Sequence, residues 1–138
     1  MSLACAKAAA VLSVVYAGVN VYQLTARLES VREKARLFAA VAGGEGASGR
    51  LRFVRALFYL AAPLFYLWAL VCADLPGLLL IAAGLKFWMS SFLGIRTEQR
   101  LLRGMDYEAR DHAFARLDAA LNIALAAAAV WWILRVWT

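Results

Sequence analysis

Apolar residues fall in four long runs, at about 3–24, 53–73, 77–95 and 117–136, with charged residues concentrated between them. A helix rises ~1.5 Å per residue, so roughly 20 mostly apolar residues cross the hydrocarbon core of a bilayer. Hydrocarbon offers the backbone no hydrogen-bond partner, so an immersed run must satisfy its own amides and is predicted as a helix. The pattern predicts an all-α fold: an integral membrane four-helix bundle, one domain over 1–138, with helical cytoplasmic extensions in loops 26–52 and 96–116.

The second and third runs are joined only by Asp74-Leu75-Pro76-Gly77, which predicts a tight hairpin with Pro76 in the first turn of the next helix. The other connections carry helical periodicity of their own. Leu24, Leu28, Val31, Ala35, Phe38 and Ala42 recur at spacings of three and four, which predicts that the first helix continues to about Ala42. The segment Gly43-Gly44-Glu45-Gly46-Ala47-Ser48-Gly49 then reads as a flexible turn. It has no following Lys-Ser/Thr and no preceding strand, so it is not a phosphate-binding loop. In the second loop Gly104 interrupts the pattern, and Asp106 is the expected N-cap of a helix running into the fourth span.

Composition favours lipid over water as the solvent. Of the 138 residues, 64% are apolar, and the mean hydropathy is +0.69. A chain this short cannot bury so much apolar surface in one core. Lys7, the apolar run and the small residues near Ala17 have the outline of a secretory leader, but the segment is read as a retained helix.

The net charge is +6, and 12 of the 15 Lys and Arg residues lie within 26–55 and 96–118. Confinement between apolar runs argues against a nucleic-acid interface, which needs a basic face on a soluble fold. The positive-inside rule puts both loops in the cytoplasm, with both termini and the Asp74 turn on the other side. Trp131, Trp132 and Trp137 would then lie at the outer interface, where Trp is enriched. The expected location is a bacterial inner membrane.

Lys86 is the most informative residue. It stands nine residues from each end of the third run, near the expected bilayer midplane. A centred Lys costs roughly 2.5–3.5 kcal/mol on insertion scales, so it needs water, a carboxylate from another subunit, or neutralisation. Depth counting places Tyr16 and Tyr66 near its level, with Ser90 one turn below and Asn20, Asn122 and Asp118 progressively toward the cytoplasm. Together these seven residues are the candidate ligand or intramembrane polar site, which would suit an anionic or carbonyl-bearing solute. The alternative is that they join helices by hydrogen bonds worth about 0.6 kcal/mol each.

Three further features carry less. Glu108 and His112, four apart, could present a metal face, but His112 is the only histidine and no matching motif exists elsewhere. Cys5 and Cys72 fall at the same end of neighbouring helices, so one disulfide is geometrically open to them. The alanines between Ala119 and Ala129 predict a helix face that packs closely. No catalytic motif is present, and no catalytic residue or cofactor is expected.

The sequence therefore points to a non-catalytic accessory, scaffolding or assembly subunit of a membrane complex. Its partners would be the bilayer and either further copies of itself or another membrane subunit. The alternatives are a small oligomeric transporter or channel using Lys86, and a membrane enzyme using the surface from Asp106 to His112.

Overall fold

A computed structural model describes residues 3–42 and 49–137. These residues form five helices and no strand: α1 Leu3–Thr25, α2 Leu28–Ala42, α3 Gly49–Cys72, α4 Gly77–Leu102 and α5 Ala109–Trp137. Three of them, α1, α4 and α5 as far as Val136, are long and apolar enough to cross a membrane. Among the residues of α3 whose side chains are described, Tyr59–Cys72 is a shorter apolar segment. The expected glycine-rich turn at 43–48 lies outside the described residues, as do the side chains of Arg50, Arg52, Arg55 and Trp137.

The helices are inside-out relative to a soluble protein. Along α1 the buried positions are Ala6, Ala9, Ser13 and Asn20, whereas Val11, Val14, Val15 and Val19 face outward, Val11 with 62% of its surface accessible. Along α4, Ala83, Phe87 and Ser91 are buried while Leu78, Ile81, Leu85 and Trp88 are exposed, Trp88 to 72%. In water the burial of large apolar side chains drives folding, and this arrangement would forfeit it. In lipid that drive is absent. Small residues that allow close approach and polar residues that pair with one another belong inside.

The principal pairing is between α1 and α5. Ala6, Ala9, Ser13, Tyr16 and Asn20 form the α1 stripe, alternating by three and four. Ala119, Asn122, Ala126, Ala129 and Ile133 repeat the same spacing on α5. Asn20 meets Asn122, whereas Ala6 and Ala9 share a buried cluster with Ala129 and Ile133, so the two helices run antiparallel. The alanine face of α5 thus packs on α1, as its composition predicts.

The α3–α4 pairing rests on a different device. Pro63 lies inside α3. A helical proline lacks the N–H that would bond the carbonyl four residues earlier, here Tyr59. Ser91 of α4 donates to that carbonyl at 2.9 Å. Gly94, one turn further along, brings α4 close to the Tyr59 ring, since a Cβ there would stand 3.2 Å from it.

Both α3 and α4 end in the same hydrogen-bond motif. Leu75 N bonds Leu70 O and Asp74 N bonds Val71 O, with Asp74 at φ 59. Met105 N bonds Arg100 O and Gly104 N bonds Leu101 O, with Gly104 at φ 79. In each case a residue in the left-handed region closes the last turn, a conformation that glycine adopts freely and aspartate tolerates. The hairpin expected at 74–77 forms, with Pro76 immediately preceding α4 and its carbonyl accepting from Leu80 N at 3.1 Å.

Two boundaries correct the sequence reading. The first helix does not continue to Ala42, because residues 26 and 27 interrupt it and α2 is separate. Thr25 Oγ1 folds back on Val21 O at 3.0 Å and Tyr22 O at 3.2 Å, a local bond that competes with helix propagation. Asp106 does not cap α5. It lies beyond the helix end, and Asp111 reaches back from the first turn to accept from Glu108 N at 3.0 Å. By contrast, the helical extension expected beyond the third run forms: α4 continues past Ile95 to Leu102 and stops before Gly104.

Candidate functional site

The apolar stretches of α1, α4 and α5 converge on a cluster of polar side chains. Lys86, nine residues into α4, forms a 3.1 Å ion pair with Asp118 Oδ1 and donates to Asn122 Oδ1. Lys86 is 10% and Asp118 27% accessible at the side chain. Ser90, one turn on from Lys86, stands 2.5 Å from Asp118 Oδ1 and 2.8 Å from the Lys86 carbonyl, and its one proton serves either acceptor.

Asn122 is the hub. Its carbonyl oxygen accepts from Lys86, and its amide donates to Asn20 Oδ1 at 2.7 Å and to Asp118 Oδ2 at 3.3 Å. Asn20 in turn donates to the Tyr16 carbonyl at 2.7 Å. One amide therefore ties α1, α4 and α5 together. Its acceptor oxygen and both donor hydrogens are engaged, which a buried amide requires.

An aromatic layer adjoins this cluster. Tyr16 lies 5.2 Å from Tyr66 and 5.8 Å from Phe87 between ring centres, and Tyr66 lies 5.7 Å from Phe87. Lys86 Nζ is 5.2 Å from the Phe87 ring centre. The Tyr66 hydroxyl meets Ser13 Oγ at 2.6 Å, and Ser13 also donates to the Ala9 carbonyl at 2.8 Å. The seven residues singled out from the sequence thus divide in two. Lys86, Ser90, Asn20, Asn122 and Asp118 are joined by side-chain bonds, whereas Tyr16 and Tyr66 form the neighbouring ring layer. Lys86 finds its carboxylate partner, Asp118, within its own chain.

Two contributors escaped the sequence reading. Ser13 stands on the same helical stripe as Tyr16 and Asn20, which is the signal that could have found it. Phe87 follows Lys86 directly, and nothing in the sequence distinguishes it from any other apolar residue.

A second group of charges lies where α4 meets α5 outside the apolar stretches. Arg100 binds Asp111 at 2.9 Å and Glu108 at 2.8 Å, and Arg110 binds Glu108 at 2.7 Å. Arg32 of α2 donates to the Tyr107 carbonyl at 2.9 Å, and Arg36 meets Asp106 at 3.4 Å, both partners 73% exposed. Burial, reinforced by the nearby Asp111 carboxylate, pushes the Tyr107 hydroxyl above the ordinary tyrosine range. The weak metal candidates fare poorly. Glu108 is held by two arginines, and the His112 ring sits edge-on against Tyr107 at 6.4 Å. Among the described residues no three His, Cys, Asp or Glu side chains gather as a metal site would require.

Clefts open on the surface of the described residues. One of about 480 Å³ lies between α3 and α4, lined by Tyr59, Glu98, Gln99 and Arg103 among others. Another runs along α2 beside Glu29, Arg32 and Arg36. Neither is lined by Lys86 or its partners.

The thiols of Cys5 and Cys72 are reduced and stand near enough to one another to interact. Trp132 Nε1 donates to the Asp74 carbonyl at 3.0 Å, bringing α5 to the same end of the molecule. No protein-family model matches the chain, and comparison with curated proteins and with solved structures finds no match.

Proposed function

We propose that the chain is a four-span membrane bundle, α3 supplying the fourth span, that acts as a non-catalytic accessory or assembly subunit of a membrane complex. The observation that supports this reading is the closure of the polar cluster. Lys86, Ser90, Asn122 and Asp118 satisfy one another and engage Asn20, so their chemistry holds helices together. The outward surface is then left for lipid and for a partner. Stacked aromatic pairs stand out on it, Phe65 with Trp68 on α3 and Trp88 with Phe92 on α4, at 5.8 and 6.2 Å. All four rings are exposed. In this reading the location is a bacterial inner membrane. The arginine-rich ends are cytoplasmic, by the statistical excess of Lys and Arg on that side, and both termini face outward.

The test is purification of the chain from its own membrane in mild detergent. A stoichiometric membrane partner supports the subunit reading. A monomer, or a homo-oligomer carrying a bound solute, overturns it. The second outcome favours the other reading, a small oligomeric transporter. The observation behind that alternative is an ion pair flanked by two asparagines and a serine within apolar helices, since intramembrane charge commonly marks a solute or ion path.

A further inference from the structure

The two cysteines stand outside the polar cluster and lie near one another. Cys5 is in the first turns of α1 and Cys72 is the last residue of α3. Ala6 and Ala9 of α1, Ala69 of α3 and Ala73 just past its end, all close in sequence to the cysteines, are buried in a single cluster. Such small side chains let two backbones approach closely, and the two thiols stand near enough to interact. Sixty-seven positions apart in the chain, the two residues meet because α1 and α3 pack antiparallel.

We propose that Cys5 and Cys72 close to a disulfide in the native membrane, joining the outer end of α1 to that of α3. This rests on the orientation proposed above, which exposes that end to an oxidising compartment. Each thiol gives up a proton, one S–S bond forms, and the two electrons pass to a disulfide of a thiol–disulfide oxidoreductase, which is reduced to its dithiol. The reaction proceeds through a mixed disulfide between that protein and one of the two cysteines.

The experiment is acid trapping of the full-length chain in its native membrane, followed by denaturing alkylation with a maleimide mass tag. The expected result is no tag before reduction and two after it. Cys5→Ser and Cys72→Ser should each take up one tag without reduction. Two tags on the unreduced wild type would overturn the proposal. A topology reporter fused at Thr138 separates this from failure of the orientation. Free thiols with the reporter outside overturn the disulfide and leave the orientation standing. Free thiols with the reporter inside overturn the orientation, and the disulfide with it.

Discussion

The molecule joins α4 to α5 twice with charge, and the two junctions differ in what surrounds them. Lys86 and Ser90 meet Asp118 and Asn122 within apolar stretches. Arg100 meets Glu108 and Asp111 about three to four turns further along α4. The inner junction uses a lysine whose charge is matched by one carboxylate and whose remaining bonds come from neutral amide and hydroxyl groups. The outer one uses a forked arginine and two carboxylates, with exposed Arg36–Asp106 beside it. Desolvation explains the contrast. In hydrocarbon every charge needs a partner of its own and every amide a bond, so the inner network is closed. At the outer junction Arg100 and Asp111 are shielded too, 18% and 11% accessible, whereas exposed Arg36–Asp106 is worth ~0–1 kcal/mol in water, where solvent completes whatever the side chains leave open.

The largest effect should therefore come from breaking the inner pair. Lys86→Met or Asp118→Leu alone leaves one uncompensated buried charge and is expected to destabilise the folded state by about 3–5 kcal/mol. The double variant should recover most of that loss, because both charges then leave together. Unfolding in a denaturing-detergent titration reads all three variants, and additive losses would show that the pair is not coupled.

Next in size is the carbonyl freed by Pro63. Ser91→Ala removes the donor to Tyr59 O and should cost about 1–3 kcal/mol, the penalty of an unsatisfied buried acceptor. In a Pro63→Ala background the helix supplies its own N–H, and the same serine substitution should lose most of its effect. An unchanged cost in that background would contradict this account of Ser91.

The outer junction should respond less, and its exposed pairs in a salt-dependent way. Arg100→Ala is expected to cost about 1–2 kcal/mol, since its Asp111 partner is largely shielded, and Arg36→Ala less than ~0.5 kcal/mol, falling further in high salt. Equal salt sensitivity at Lys86 and Arg36 would erase the distinction between shielded and exposed pairs.

Smallest is a pH effect at Tyr107. Its hydroxyl is raised in the folded state by burial and by Asp111, so the native form keeps its proton where the unfolded chain has lost it. That contribution is complete below the unfolded value near 10 and is lost as pH rises through the folded value. Stability measured across the alkaline range should fall less steeply in Tyr107→Phe than in the wild type.

Much of the architecture could be read from residue order, for physical reasons. Apolar runs report where hydrocarbon lies. The depth of Lys86 within its run reports which polar residues can reach it, which is why Asn20, Ser90, Asp118 and Asn122 were found together. Helix ends were harder. They depend on single bonds to distant groups or on local competition: Thr25 against its own carbonyls, Asp111 reaching Glu108 N, Arg32 reaching Tyr107 O from 75 residues away. Ser91 belongs between these cases. A proline within an apolar run announces an orphaned carbonyl four residues earlier, but the helix that supplies the donor is chosen by packing.

The central claim is that hydrocarbon surrounds the outward faces of these helices while polar groups pair inside. Nitroxide labels placed singly along α1 in lipid nanodiscs, with Cys5 and Cys72 replaced by serine, test it most directly. Labels at Val11, Val14, Val15 and Val19 should collide readily with dissolved oxygen and rarely with a water-soluble nickel complex, whereas labels at Ala9, Ser13 and Asn20 should be shielded from both. Free collision of the nickel complex at the four valines would contradict the account.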